Sequence, residues 1–300
     1  MNNQVSDTER ADLGFCWDQV MRVRPQFRLT HAYAPKEISS GILAMHALFA
    51  ALEEAVSNVS AEEVSRAKLV WWQQELMAHG AVNSRHPIVR MLERSFTRPE
   101  AIHDHLRSLL DLSIQRVDAV AISDEAALRQ FCQELGAVQM RLEFALEPGN
   151  TEDDASLAKS CDASGLLQLL RESVRLGPDR AFWWLPLNLL ARFGLNRAEF
   201  VDGGVNESSI NVMKSIYSAV LDRHRQPESR NRFATKLHSK VGSTVQRHRH
   251  WLVQSALQLR LLDRLEAVHP RKYLNILSTT RLSDAWFAWR VARQCPAGGE

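Results

Sequence analysis

The sequence predicts an all-α fold, a single helical bundle spanning residues 1–300. Three observations carry the prediction. Apolar residues recur at steps of three and four, the repeat of one helical face. Alternating strand-like runs bounded by hairpin turns are absent. No internal repeat or linker-like low-complexity segment divides the chain, so one all-α domain is the economical reading.

The elements follow in order. Residues 1–13 are polar and acidic and are expected to be flexible. They carry no basic stretch followed by an apolar one, so they are not read as a signal peptide. Pro35 to Asn58 places Ile38, Ile42, Met45, Phe49, Leu52 and Val56 on one stripe of an amphipathic helix. Ser60 followed by Glu62 and Glu63 reads as an N-cap with an acidic first turn, opening the helix that carries Trp71 and Trp72. Pro87 and Pro99 sit where helices begin. Two long helices are expected over about 100–120 and about 124–147. The run Glu147-Pro-Gly-Asn-Thr-Glu-Asp-Asp154 is the clearest loop. A helix to about Glu172 should end before Gly177-Pro178, and Asp202-Gly-Gly-Val-Asn206 is another loop. Helices over about 209–225, 229–265 and 282–294 complete the bundle.

Composition bounds the function. Hydrophobic residues make up 45% of the chain, enough for a sizeable core at this length. The net charge of +2 offers no field for capturing nucleic acid. Cys16, Cys132, Cys161 and Cys295 have no CxxC spacing, which argues against a zinc site or a disulfide framework and fits a reducing, cytoplasmic setting. No run of about 18 apolar residues occurs, so no transmembrane helix is expected. P-loop, dinucleotide, nucleophile-elbow and zinc motifs are absent.

Several segments, in order, carry a resemblance. These are Arg28-Leu-Thr-His-Ala-Tyr-Ala-Pro35, Ala44-Met-His-Ala-Leu48, Lys68-Leu-Val-Trp-Trp-Gln-Gln-Glu75, His86-Pro87-Ile-Val, Phe131-Cys-Gln-Glu-Leu-Gly136, Gly165-Leu-Leu-Gln-Leu-Leu-Arg-Glu172 and Trp184-Leu-Pro-Leu-Asn-Leu-Leu-Ala-Arg-Phe-Gly-Leu195. Their order and spacing, from about Phe27 to Arg293, resemble the squalene/phytoene synthase family. The resemblance implies an antiparallel bundle of the isoprenoid synthase type around a central cavity. It also implies enzymes that join two prenyl diphosphates head to head, with Mg²⁺ held by two Asp-x-x-x-Asp motifs on facing helices. The chemistry is intelligible. Carboxylates at i and i+4 share a helical face and can reach one metal cluster. Mg²⁺ with Arg or Lys then stabilises the departing diphosphate.

On that resemblance the first acidic motif falls on Glu53 and Ser57, and the second on Glu172 and Leu176. One carboxylate survives in each. Glu54 lies about 100° further round the helix and would not point the same way. The candidate cavity or diphosphate-binding residues are His46, Glu53, Ser57, Gln168, Arg171 and Glu172, with Glu53 and Glu172 the candidate metal ligands. The simpler reading makes both glutamates ordinary helix carboxylates, or pairs them with Arg171 or Arg175. The Phe49–Ser60 spacing followed by the Trp pair resembles a branch of the family, the mitochondrial respiratory complex I assembly factor with a degenerate phytoene-synthase domain. The expectation is therefore a non-catalytic or altered-activity binding or assembly protein needing no cofactor. The alternative is a transferase on prenyl diphosphates using Mg²⁺. The ligand implied is a prenyl diphosphate or another apolar molecule, alongside a protein partner or peripheral membrane contact.

Other clusters read more simply. His46 is expected to be a satisfied cavity-lining histidine. Trp71, Trp72, Trp183 and Trp184 read as core packing ahead of carbocation stabilisation. The pairs Glu100/His103 and Glu266/His269 sit at helix ends, which argues against a di-metal site. Lys236 to His250 reads as a basic solvated helix face.

Overall fold

The computed structural model describes residues 6–57, 61–77, 84–96, 102–146, 155–176, 180–202, 207–225, 249–268 and 270–294, and all the regular structure among them is helical. The expected features at Ser60, Pro99, 147–154, Gly177-Pro178, 203–206, Glu100, His269, Cys295 and most of the 229–248 stretch lie outside the described residues.

Helix α1 (Asp7–Val23) starts where Ser6 Oγ accepts from the Glu9 amide at 3.2 Å. Residues 7–13 were expected to be flexible and are instead part of this helix. The physical reason is Asp12, only 1% exposed, which bonds Arg90 and, at 3.2 Å, Arg94. Both arginines lie on α5 (Pro87–Ser95), with Pro87 in the first turn as expected. The short α2 (Phe27–His31) leads to α3 (Ser39–Ser57). The stripe expected from Pro35 enters the helix only at Ser39, because Pro35 first makes a turn closed by the Ile38 amide at 3.2 Å.

Helix α3 is the axis of the bundle. It packs on α1, α2 and α5, and on α4 (Glu62–Met77), α6 (His103–Val117), α7 (Glu125–Phe144) and α8 (Ala155–Ser173). Contact on so many sides explains why Ile42 to Ala50 is buried without interruption. Among the described residues α3 alone is long and apolar enough to cross a membrane, yet 78% of that stretch is buried inside the bundle. Short α9 (Leu187–Arg192) and α10 (Arg197–Asp202) precede α11 (Glu207–Arg225). Helix α12 (Arg249–Glu266), a 3₁₀ turn at Pro270–Lys272, α13 (Tyr273–Leu277) and α14 (Leu282–Gln294) follow.

The tightest pairing joins α7 and α8. A Cβ on Gly136 would strike the Cys161 carbonyl, and one on Gly165 would strike the Cys132 carbonyl. As one number rises its partner falls, so the helices run antiparallel in backbone contact. Only glycine permits that approach.

The two sequence landmarks are structural joints. Trp72 is buried while Trp71 is 41% exposed, so only one of the adjacent pair packs into the core. His86 meets both rings edge-on, with centroids 4.8 and 5.4 Å away, and Phe15 packs on His86 from α1. Trp183 and Trp184 are both buried, and the Trp184 indole N–H donates to Ser173 Oγ at 2.8 Å. Pro186 caps α9, whose first amides donate to the Ile122 and Ser123 carbonyls. Gly194 ends that helix with φ of 62°, the left-handed conformation that glycine adopts freely.

Candidate functional site

Glu53, on α3, is fully buried. Its Oε1 accepts from Arg171 Nε at 3.1 Å and from Arg175 Nη1 at 2.8 Å. Its Oε2 accepts from Arg24 Nε and Nη2 at 3.2 and 3.1 Å. Burial opposes its charge, but the guanidinium groups of Arg171, Arg24 and Arg175 outweigh it and hold the carboxyl at about 2. Burial lowers Arg171 to about 10, with Glu53 resisting the shift. Glu54 points elsewhere, as the helical turn predicts, and pairs with Arg22 of α1 at 2.7 Å.

Glu172 belongs to a second cluster. Its Oε1 accepts from the fully buried Arg116 of α6 and from Gln168 Nε2 at 3.1 Å. Gln168 is itself tied to Gln139 of α7. Arg116 also donates to Ser113 Oγ at 2.8 Å and the Leu112 carbonyl at 3.2 Å. Burial pushes the Glu172 carboxyl up, and the charge of Glu53 adds to that push against Arg116.

These residues do not fit a Mg²⁺ cluster. Of the four carboxylate oxygens, only Glu172 Oε2 lacks a hydrogen-bond partner. Ser57 Oγ donates to the Glu53 carbonyl at 2.7 Å, and Leu176 brings no ligand. Four guanidinium groups face two carboxylates, a field that repels a divalent cation.

A cavity of about 50 Å³ lies beside the Glu53 cluster, lined chiefly by Arg24, Thr30, His46, Arg171, Leu257 and Leu261. Of the six candidates from sequence, His46 and Arg171 line it. Glu53, Ser57, Gln168 and Glu172 do not. The cavity is several-fold below the roughly 300 Å³ at which small-molecule pockets begin.

Beyond the cavity wall a third cluster joins three helices. His46 of α3, Glu143 of α7 and His250 of α12 are 2%, 6% and 2% exposed. His46 Nε2 lies 3.1 Å from Glu143 Oε1, and His250 Nε2 lies 3.9 Å from Oε2. Glu143 thus sits between the two imidazoles, and the Thr30 carbonyl faces His250 from α2. His46 lines the cavity, as expected, and its partner is Glu143. Burial lowers both imidazoles, His250 to about 4, with Glu143 opposing in each case. The Phe27 ring covers His46 at 4.3 Å between centroids.

Arg24, Arg116, Glu143 and His250 were not singled out as site residues in the sequence. Gln139 and Glu143 leave a signal, since they interrupt a buried α7 face that includes Leu135 and Leu142. His250 was read as part of a solvated basic face, yet it opens a turn in which Trp251, Leu252 and Val253 are also buried.

The helices and their clusters define an all-α isoprenoid-synthase-type fold. Its match to a crystal structure of a dehydrosqualene synthase in complex with ligand has a TM-score of 0.70 and 13% identity, over 95% of this chain and 96% of that one. A sequence model of the family described as squalene/phytoene synthase matches residues 20–283, and the chain belongs to that family. Among curated proteins no sequence matches it.

Proposed function

We propose that this chain is a squalene/phytoene synthase-family protein whose acidic motifs no longer hold metal, and that it acts by binding rather than by joining prenyl diphosphates. The observation that carries the reading is Glu53, whose two oxygens are engaged by Arg24, Arg171 and Arg175. A carboxylate so engaged cannot also give short bonds to Mg²⁺ without stranding buried arginines. The size of the cavity supports the same reading, since two prenyl chains need far more than about 50 Å³. What such a site favours is a small anionic or short apolar group, drawn by Arg24 and Arg171 and flanked by Leu257 and Leu261. A role in assembling another protein, like that of the complex I assembly factor branch, is the form in which a retained frame without turnover serves a partner.

The test is incubation with farnesyl or geranylgeranyl diphosphate and Mg²⁺, following pyrophosphate. The expected outcome is release no faster than in buffer. Robust release that disappears in Glu172→Gln sinks this reading and restores the transferase, which Glu172 Oε2, an oxygen without a partner, would then serve.

A further inference from the structure

We propose that His46, Glu143 and His250 form a binding site for a divalent transition-metal ion of the zinc class, separate from the acidic motifs and independent of the reading above. The ligand atoms of these residues all lie within 4.8 Å of one another. A tetrahedral ion with bonds of about 2.0–2.1 Å spaces its ligands roughly 3.3 Å apart. The two His–Glu contacts at 3.1 and 3.9 Å bracket that spacing, and the imidazole pair, within 4.8 Å, would close in on binding.

The chemistry of the donors selects the ion. Two imidazoles and one carboxylate suit zinc, iron or cobalt, whereas Mg²⁺ and Ca²⁺ take oxygen sets. Both imidazoles are buried beside the Glu143 carboxylate, shielded from competing solvent. One ion would take a nitrogen of each ring and balance the buried charge of Glu143. Outer partners are in place: Gln254 faces the Glu143 carboxylate and the Thr30 carbonyl faces His250, the kind of contact that fixes a ligating imidazole. His46 also lines the cavity. The three ligands come from α3, α7 and α12, and an ion would tie the central helix to both.

The test uses the full chain, stripped with a chelator and titrated with Zn²⁺ against a chromophoric competitor, then with Co²⁺ followed by its visible absorption. One equivalent is expected to bind with a dissociation constant of about 1 μM or tighter, unaffected by excess Mg²⁺. Affinity should fall about 100-fold or more in His250→Ala and in the near-isosteric Glu143→Gln, beyond the loss of an outer hydrogen-bond partner. It should be unchanged when His224, His238 and His248 are replaced together. Retained helicity by circular dichroism qualifies each variant. Should both site variants unfold, X-ray absorption of the Zn²⁺-loaded wild type decides the matter, with two imidazoles and one carboxylate as the expected shell. Absence of stoichiometric binding, undiminished affinity in a folded site variant, dependence on the other three histidines, or a different ligand shell overturns the proposal.

Discussion

Arg171 Nε lies 3.1 Å from Glu53 Oε1, joining α8 to α3 across 118 residues of chain. The neighbouring Glu172 points about 100° away around α8 and is taken by Arg116 from α6. The two glutamates that the family resemblance sets opposite each other are therefore separated by the arginine between them in register. Arg171 thus presents a positive charge to α3.

Removing the Glu53 charge should be costly. Glu53→Gln leaves Arg24, Arg171 and Arg175 without their shared anion in a buried site. The expected destabilisation is about 3–5 kcal/mol, measured by urea unfolding. Glu54→Gln, whose partner Arg22 is largely exposed, should cost no more than about 1 kcal/mol. Equal effects of the two substitutions would contradict the assignment.

Placing carboxylates where the family resemblance expects them should not create a metal site. In Ser57→Asp with Leu176→Asp, the new groups would meet Arg24, Arg171 and Arg175 before any Mg²⁺. Calorimetry with Mg²⁺ should show no saturable binding in the double variant. Saturable binding would show that the arginines yield.

Acid should weaken the fold through the buried imidazoles. His250 is held at about 4 against an ordinary 6.5. Below 6.5 the unfolded chain takes a proton that the folded one refuses, so this stability is whole above that pH and is lost as pH falls toward 4. The loss for this one group reaches on the order of 3 kcal/mol. Glu53, held at about 2, stays charged throughout, while Glu172, raised by burial, acts in the opposite sense. Urea midpoints between about pH 7 and 5 should fall steeply in the wild type and less steeply in His250→Asn. Identical slopes would remove the imidazole from the account.

The glycines between α7 and α8 should tolerate nothing larger. Gly165→Ala and Gly136→Ala each drive a methyl into a backbone carbonyl, which cannot rotate aside. Each should lower stability by about 3 kcal/mol or more. Gly14→Ala, with nothing within 4 Å of its added carbon, should be neutral or stabilising by thermal melting.

The bundle was legible because burial imposes period. Ile42, Met45, Phe49, Leu52 and Val56 stand at helical steps and all are buried. The start of α1 was hidden because what anchors it is one buried carboxylate, Asp12, reaching α5 across 78 residues. The site was half legible for the same reason. Glu53 and Glu172 stood out through their place in motifs, but Arg24, Arg116 and His250 look like surface residues in a sequence. Only the fold brings them inward, over separations such as the 29 residues from Arg24 to Glu53. Nothing local distinguishes a buried arginine from an exposed one.

The crossing of Gly136 and Gly165 sets a limit on how this protein can change. Where two helices touch through their peptide groups, there is no side chain left to trim. The α7–α8 seam is then fixed, and any widening of the interior must come from side chains that can be shortened, such as Thr30, Leu257 and Leu261. Selection for a larger guest would be recorded in α2 and α12, while the glycine seam stayed silent.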